Sequence, residues 1–327
     1  MDHLLFTMKV CLFVCLLFFI LFFFFFLAIS KKSYFINARE TAPWAAYRDM
    51  FNHTGMPSTN HSSYGVESIA VPGELAGYWH LYNRFGSKQI SWKRLFQDAI
   101  NFARNGFPVG EHLENALNQN RNTIMRLSQL REVYVNPNTN DVYKRGDNLR
   151  QPNLALTLEK LSEAVDPHDY FYNQLAKLIL DDIYMNISAE FPGQTPIMVL
   201  SDFARYSVIE EEAYSVLLKS NLTLHTVKLP GAGQLLSFII RVMLKYDDLY
   251  PDMARLDETK AILFFHRLIE TFKYTFANRM YLGDDRFDNV TEVLRNITSD
   301  DYINQIVASI DDNRTYPASS GHYDSKV

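Results

Sequence analysis

Arg39 is the residue in this chain whose type and surroundings best suit ligand binding. It lies in the segment FINARETAP, residues 35–43, directly before Glu40. A guanidinium presents a planar fork of N–H donors that can bind a carboxylate through two parallel hydrogen bonds, which lysine cannot copy. An arginine beside a glutamate is also a common structural ion pair. The residue types alone therefore leave both interpretations open.

Other residues that could do chemistry are sparse or unsuitably spaced. Both cysteines, Cys11 and Cys15, lie in an apolar N-terminal run, which excludes a cysteine nucleophile or a cysteine-type zinc site from the body. The histidines form no i,i+4 pair and no HExxH motif, and no G-x-S-x-G sequence occurs. We therefore predict no metal and no cofactor, and we find no self-sufficient catalytic machinery.

Two loop motifs and one histidine have structural explanations. Gly231–Gly233 lacks the Lys-Ser/Thr of a P-loop and the third glycine of a dinucleotide fingerprint, so a tight turn is expected. The acidic stretch Gly283–Asp288 fails the EF-hand spacing, and it is predicted to be a helix-end loop with an ion pair to Arg286 or Arg279. His266, on the long predicted helix, is expected to be packed or partnered.

The pattern of residues 68–78, SIAVPGELAGY, predicts the element order near this arginine. Alternation at Ile69 and Val71 indicates a short strand, the Pro-Gly pair indicates a turn, and a helix should follow. Ser91 should cap the next helix. The apolar stripe of that next helix is expected at Leu95, Phe96, Ala99, Phe102 and Ala103.

The rest of the body is predicted to be rich in helices. Further helices are expected at residues 111–127, 152–164, 167–185, 201–206, 234–246 and, capped by Ser299, after residue 299. Hairpins are expected within residues 133–144 and between strands at 214–218 and 222–229. The longest helix, residues 257–282, should end at Gly283. Its apolar face is formed by Ile262, Phe265, Ile269, Phe272, Phe276 and Met280. With no repeat or linker, we expect one helix-rich α+β unit.

Several segments, in the same order, resemble the γ-glutamyltranspeptidase (glutathione hydrolase) family. FINARETAP is similar to the family's INARExAP segment, and AVPGELAGY, residues 70–78, is similar to its AVPGExxGY segment. The other matching stretches are WKRLFQDAINFARNGFPVG at 92–110, LPGAG at 229–233, HRLIETFKYTFANRMYLG at 266–283 and VTEVLRNITS at 290–299. Their shared order over about residues 35–317 makes the resemblance strong.

The resemblance implies an N-terminal-nucleophile (Ntn) hydrolase of the αββα type, of which this chain is an incomplete, helix-rich large-subunit portion. It implies that Arg39 grips the α-carboxylate of a γ-glutamyl substrate, with Asn37, Glu40 and Thr41 supporting the loop. In the family, the nucleophile is the N-terminal threonine of a small subunit made by self-cleavage. That threonine is expected beyond Val327, so no catalytic residue is predicted within the chain.

We therefore expect a role in glutathione catabolism, in which a γ-glutamyl group passes from glutathione or a related compound to water or an acceptor. The expected partner is the small subunit that carries the nucleophile, and the isolated chain is expected to be inactive. A non-catalytic, membrane-anchored binding or scaffold protein of the same family is the alternative, and a separately encoded small subunit also stays open. Net charge −5 and a pI near 6.0 predict no nucleic-acid partner.

The uncharged run at residues 10–29 is long enough to cross a bilayer as a helix. We expect a transmembrane signal-anchor within residues 1–32, with a cleaved signal peptide as the alternative. The large-subunit region should cover residues 33–317, and an irregular tail should cover 318–327, before the family's self-cleavage point. The family places about two strand–helix units before its INARE motif, so this leader is either spliced onto the motif or the sequence is incomplete.

Charge and glycosylation signals disagree about which side of the membrane holds the body. Lys31 and Lys32 after the run favour a cytosolic body, whereas seven N-x-S/T sequons favour an extracellular one. The family resembled is a type II single-pass protein of the plasma membrane, so we expect an extracellular body. The candidate glycosylation sites are Asn52, Asn60, Asn186, Asn221, Asn289, Asn296 and Asn313.

Overall fold

The computed structural model describes residues 22–27, 32–52, 62, 65–219, 222–246 and 257–324. These residues cluster into two compact units. Unit 1 contains Asn37–Ile209, and unit 2 contains Phe22–Ile36 together with Glu210–Val327. The sequence shows no linker at either junction, so composition predicted a single unit where the contacts define two.

Strands are few and short, and helices dominate both units. The strands are β1 Phe22–Leu27, β2 Lys32–Asn37, β3 Phe107–Pro108, β4 Val135–Asn136, β5 Asp141–Val142, β6 Asn148–Leu149, β7 Ile209–Glu212, β8 Tyr214–Lys219 and β9 Leu222–Thr226. The α-helices are α1 Glu74–Phe85, α2 Trp92–Asn105, α3 Glu111–Gln119, α4 Arg121–Arg126, α5 Ser128–Tyr134, α6 Pro152–Glu163, α7 Pro167–Asp169, α8 Ala176–Asp182, α9 Leu200–Ala204, α10 Gly233–Met243, α11 Glu258–Arg279, α12 Thr291–Ile297 and α13 Asp300–Ser309. The prediction of a helix-rich α+β protein is confirmed.

The apolar leader provides the first correction. Its last part forms strand β1, which lies at the edge of a three-stranded sheet in the order β1-β2-β7. The prediction of a transmembrane helix over residues 10–29 is therefore wrong for Phe22–Leu27, and residues 10–21 lie outside the described residues. Phenylalanine has a high strand propensity, and sheet pairing satisfies the backbone groups that a helix would pair internally. Among the described residues, none of the helices combines the length and apolar composition that crossing a membrane requires.

Unit 1 packs its helices around a core that also includes the segment before α1. Val71, Tyr172, Ile179 and Phe203 are almost fully buried in this core. The predicted helix at 167–185 is present as α7 and α8 with π-helical turns at Tyr170–Leu175 and Ile183–Ile187. The predicted strand through Ile69 and Val71 is reduced to one antiparallel bridge between Val71 and Thr41, because Pro72 ends the pairing at once.

Helix α2 starts where the sequence indicates but turns a different face to the core. Ser91 accepts a hydrogen bond from the Arg94 backbone N–H at 3.3 Å, as predicted for a cap. The buried side chains are Trp92, Ile100 and Ala103, whereas Leu95 and Phe102 are 52% and 60% exposed. The predicted stripe is therefore only partly correct. Ile100 and Ala103 belong to a small cluster with residues of α6, and that packing selects the buried face.

Unit 2 is built on the long helix α11, packed against α10. Phe238, Tyr274, Ile297 and Ile303 are buried in its core, and α12 and α13 contribute the last two of these residues. The predicted hairpin is present: β8 pairs antiparallel with β9, from Tyr214 opposite Thr226 to Lys219 opposite Leu222. The Ser299 side chain caps α13 by accepting a hydrogen bond from the Tyr302 backbone N–H at 3.2 Å.

Helix α11 contradicts the sequence in two respects. It ends at Arg279 with Met280 as its C-cap, so Gly283 is not the cap. A Cβ at Gly283 would lie 1.9 Å from the carboxylate of the exposed Asp288, which can move aside, so the structure gives no packing reason for this glycine. The apolar face identified in the sequence is exposed, and the buried residues are Arg267, Glu270, Thr271, Tyr274, Thr275 and Asn278.

Candidate functional site

The segment that carries Arg39 is held in place by the motif that precedes α1. Thr41 and Val71 exchange both backbone hydrogen bonds, at 3.1 and 2.8 Å. The Asn37 side chain accepts a hydrogen bond from the Arg39 backbone N–H at 3.0 Å, which turns the chain as it leaves β2. The structure thus brings together two motifs that lie about 30 residues apart in the sequence, as an anchored loop rather than a free one.

A pair of stacked tyrosines reinforces this arrangement. The Tyr206 hydroxyl donates to the Arg39 carbonyl at 2.8 Å, and the Tyr172 hydroxyl donates to the Pro72 carbonyl at 2.6 Å. The two rings lie parallel with centroids 5.3 Å apart. Burial raises the pKa of Tyr172 well above its ordinary value, so this hydroxyl stays protonated and keeps donating.

Gly73 is required because the chain segments approach too closely for a side chain. A Cβ at this position would lie 1.8 Å from the Tyr206 hydroxyl and 2.4 Å from the Ala38 carbonyl oxygen. The sequence assigned Gly73 to a tight turn, whereas in the structure no turn is assigned at Pro72 and Gly73 and the glycine serves close approach. Its backbone, at φ −110°, is accessible to any residue.

Asp202 fixes the far end of the Arg39 loop. One of its carboxylate oxygens accepts a hydrogen bond from the Trp44 backbone N–H at 2.9 Å, and the other accepts from the Val199 N–H at 2.8 Å. Arg205 lies over the Trp44 ring, with its guanidinium carbon 5.2 Å from the ring centroid. Unit 1 therefore holds both ends of the segment that presents Arg39.

The charged groups at the loop are suited to bind a small zwitterion. The Arg39 guanidinium donates to Glu40 Oε1 at 3.3 Å and keeps 39% of its side chain exposed, so solvent and ligands reach it. Glu40 Oε2 is buried and has no hydrogen-bond partner within the part of the chain that the structure describes. A buried oxygen of this kind is costly unless a donor arrives. The accessible Arg39 guanidinium and the Glu40 carboxylate beside it carry charges opposite to those of the carboxylate and ammonium of an α-amino acid.

The other singled-out residues have structural roles. His266 is partnered, as predicted: its Nε2 lies 2.8 Å from the Asp311 carbonyl oxygen. In the acidic loop, Asp284 forms the predicted ion pair with Arg286, at 3.0 and 2.7 Å. Gly231 lies in a turn closed by its N–H and the Lys228 carbonyl at 2.8 Å, which confirms a tight turn.

The sequons differ in accessibility. Asn52, Asn289 and Asn313 are exposed. Asn186 and Asn296 are half-buried, and the Asn186 amide donates to Asp182 at 3.1 Å. Asn60 and Asn221 lie outside the described residues, as does the end of the predicted tail from residue 325.

Sequence reasoning missed Tyr206, Tyr172 and Asp202. All three come from the second half of unit 1, at least 100 residues after the backbone groups that they bind. In the sequence, Tyr206 and Tyr172 resemble ordinary aromatic residues of a hydrophobic core, and Asp202 resembles an acidic residue at the start of a helix. The one available signal was that Asp202 falls in the first turn of a short helix, where carboxylates commonly accept backbone N–H bonds.

The fold of this chain is shared with solved γ-glutamyltranspeptidases. The structure aligns with the γ-glutamyltranspeptidase of Helicobacter pylori with a TM-score of 0.78 at 24% identity, covering 91% of this chain and 80% of that chain. The profile of the family described as Gamma-glutamyltranspeptidase matches residues 21–327. The chain belongs to the γ-glutamyltranspeptidase family.

Curated relatives agree with this assignment and are much longer. The chain is 38% identical over 282 residues to Scoloptoxin SSD14 of the centipede Scolopendra dehaani, which is 86% of this chain and 46% of the relative. It is 31% identical over 287 residues to Glutathione hydrolase 3 of Arabidopsis thaliana, which is 88% of this chain and 41% of the relative. The chain thus spans less than half the length of these relatives.

Proposed function

We propose that this chain is the donor-binding part of an enzyme that removes the γ-glutamyl group of glutathione and passes it to water or to an acceptor. The observation that most supports this proposal is the accessible Arg39 guanidinium paired with the Glu40 carboxylate. Arg39 binds the α-carboxylate bidentately, and Glu40 accepts from the α-ammonium group. Membership of a family whose members are named glutathione hydrolases supports the same substrate class.

The residues around this pair hold it in position rather than react. The Tyr206 bond to the Arg39 carbonyl and the Thr41 bridge fix the backbone, so the guanidinium meets its ligand with little ordering cost. The reacting group is a threonine of a second polypeptide portion, the part that these relatives possess beyond the matched length. Several relatives carry the name proenzyme, which supports a two-part enzyme.

We further propose that the body lies on the extracytosolic side of the membrane. The exposure of Asn52, Asn289 and Asn313 supports this placement, because an oligosaccharide on these side chains displaces no packed group. Their acceptor sequences are read only in the secretory pathway.

The proposed γ-glutamyl-binding site at Arg39 is tested by measuring glutathione binding to the purified chain by calorimetry. We expect Arg39→Lys to weaken binding at least about tenfold, because a point charge replaces a bidentate fork. Arg94→Lys is the matched control: Arg94 forms an exposed ion pair with Asp98 at 3.0 Å and should have no effect. Cysteinylglycine, which lacks the γ-glutamyl group, should not bind.

Two results would contradict the proposal. Equal glutathione affinity of the parent chain and Arg39→Lys would leave Arg39 as a structural ion pair. Turnover of a γ-glutamyl substrate by the isolated chain, abolished by Arg39→Ala, would show that the chain holds its own catalytic group and needs no second portion.

A further inference from the structure

Arg205 is an exposed arginine that lies beside residues 39–44, which we call the Arg39 segment. It is the C-cap residue of helix α9. Before it in the chain, Asp202 accepts a hydrogen bond from the Trp44 backbone N–H at 2.9 Å. After it, the Tyr206 hydroxyl donates to the Arg39 carbonyl oxygen at 2.8 Å. Because residues on both sides bind the Arg39 segment, the backbone at Arg205 is held next to that segment.

The Arg205 guanidinium contacts an aromatic ring and has no acidic partner within the part of the chain that the structure describes. Its central carbon lies 5.2 Å from the centroid of the Trp44 ring. An aspartate three residues before an arginine on a helix commonly pairs with it. Asp202 instead directs its two carboxylate oxygens to the backbone N–H groups of Trp44 and Val199. The positive charge of Arg205 is therefore available to an anionic ligand.

The Trp44 ring presents a surface to solvent rather than to a core. It is 81% exposed, although tryptophan is a residue that proteins usually bury to a large extent. A guanidinium that contacts such a ring has less rotamer freedom to lose when a ligand arrives, and the N–H donors in its own plane remain available to a carboxylate. The contact between Arg205 and Trp44 thus gives a partly ordered cation beside the Arg39 segment.

The position of Arg205 relative to Arg39 suits a peptide that carries a carboxylate at each end. Both arginines belong to unit 1. The Cα of Arg205 lies about 3.8 Å from that of Tyr206, the residue whose hydroxyl binds the Arg39 carbonyl oxygen. An extended tripeptide spans about 10–11 Å, and arginine side chains are long. A tripeptide is therefore long enough to place one carboxylate at Arg39 and the other at Arg205.

We propose that Arg205, held over the Trp44 ring, binds the C-terminal carboxylate of a γ-glutamyl peptide whose α-carboxylate is bound by Arg39. In glutathione, this second carboxylate belongs to glycine and lies at the opposite end of the molecule from the α-carboxylate. Arg205 thereby makes the site prefer γ-glutamyl peptides with a free C-terminus to γ-glutamyl compounds that lack a terminal carboxylate. The inference rests on the proposed function, because it adds a second contact to the ligand of the Arg39 site.

The test removes each side of this contact separately and measures binding to the purified chain by calorimetry. The ligands are glutathione and glutathione glycinamide, in which a neutral amide replaces the glycine carboxylate. We expect the amide to bind the parent chain about fivefold more weakly than glutathione, as for an exposed charge-assisted contact. Arg205→Gln should weaken glutathione binding by the same factor and leave binding of the amide unchanged, because the amide offers Arg205 no carboxylate.

Arg126→Gln is the matched control for this substitution. Arg126 is also exposed, belongs to unit 1 and contacts an aromatic ring, with its guanidinium carbon 5.6 Å from the centroid of Phe191. Phe191 lies outside the Arg39 segment. The control variant should therefore bind both ligands with the affinity of the parent chain.

Two results would overturn the inference. Equal affinity of the parent chain for the two ligands would show that the glycine carboxylate makes no contact. An equal loss of both ligands in Arg205→Gln would show that Arg205 acts on the structure of the loop. In either case, weaker glutathione binding by Arg39→Lys would leave the proposed function standing. A parent chain that binds no glutathione would contradict both the proposed function and this inference.

Discussion

A single methyl group added at Gly73 should destabilise the loop that carries Arg39. The added Cβ would enter the space of the Tyr206 hydroxyl and the Ala38 carbonyl oxygen, and the carbonyl belongs to the backbone that carries Arg39. We expect Gly73→Ala to lower the free energy of unfolding by about 1–3 kcal/mol, as overpacking does. Urea denaturation measures this change, and glutathione binding should weaken with it.

Gly110→Ala is the matched control for this substitution. Both glycines are N-caps with negative φ, so the intrinsic cost of alanine at a cap is shared. A Cβ at Gly110 meets nothing within 4 Å. A loss at Gly73 no larger than the loss at Gly110 would show that Tyr206 and Ala38 yield to the methyl group and that close approach does not explain the glycine.

The surroundings of Glu270 predict how the stability of the protein depends on pH. The Glu270 side chain is 2% exposed and accepts from Lys273 at 2.7 Å, from Thr315 at 2.8 Å and from the Tyr323 hydroxyl. Burial raises its pKa, but these three donors outweigh burial and hold the pKa below the ordinary value. We expect Glu270→Gln to cost roughly 1.5–3 kcal/mol at neutral pH.

The sign of the pH dependence follows from the lowered pKa. The unfolded chain takes up the proton first as pH falls, so the stabilisation is complete above the unfolded pKa of about 4.3 and is lost as pH falls through the folded pKa. The stability difference between the parent and Glu270→Gln should be constant from about pH 7 to 5 and shrink below about 4. Glu292→Gln, whose side chain is 76% exposed, should show no difference at any pH. A difference that grows on acidification would contradict the assignment.

At the scale of elements, periodicity located the helices well but did not select their buried faces. The strong apolar repeat of α11 fixes its length within a few residues, yet the face that is buried carries Arg267 and Glu270. A hydrophobic repeat identifies an apolar face of a helix, but it does not show whether that face or the polar face packs against the rest of the chain. The same holds for Leu95 and Phe102 of α2, which are exposed within the described residues.

The polar face of α11 holds the segment that follows α13. Contacts run in step along both, from Arg267 with Asp312, through Lys273 with Thr315, to Tyr274 with His322 at 2.9 Å. The sequence predicted an irregular tail over residues 318–327, and of these contacts only the one with His322 falls in that range. The irregular backbone of this segment is nevertheless anchored by side chains, a pattern visible only when the partner face is known.

Tyr323 is the residue that ties this segment most closely to α11. Its hydroxyl donates to Glu270 and accepts from the Tyr316 backbone N–H at 3.0 Å. We expect Tyr323→Phe to speed trypsin cleavage after the exposed Arg314 several-fold, because local opening becomes less costly. The rate of appearance of the cleaved product by mass spectrometry is the measurement. Tyr281→Phe, at a 55% exposed tyrosine, should leave the rate unchanged, and an equal rate for both variants would contradict the anchoring role.

At the scale of the whole molecule, the sequence was enough to recognise the family and to select Arg39 as a candidate binding residue. The structure was needed to show which residues hold Arg39 in place. The family was recognisable because short motifs keep their order along the chain. The division into two units and the roles of Tyr206 and Asp202 were not predictable, because they depend on contacts across more than 150 residues. The apolar leader was predicted wrongly in part, because its composition favoured a helix at Phe22–Leu27, whereas these residues pair into a sheet as a strand.

The location of the body is the prediction that belongs to the whole molecule. If the chain enters the secretory pathway, the exposed Asn289 and Asn313 should carry oligosaccharides. Asn186 should be occupied less in folded protein, because its amide binds the buried Asp182. Enzymatic removal of the glycans converts each occupied asparagine to aspartate, so peptide mass spectrometry gives the occupancy of each site. Thr291→Ala removes the Asn289 acceptor sequence and should abolish that signal alone. Unmodified asparagine at every sequon in protein from its own cells would place the body in the cytosol, as Lys31 and Lys32 alone would suggest.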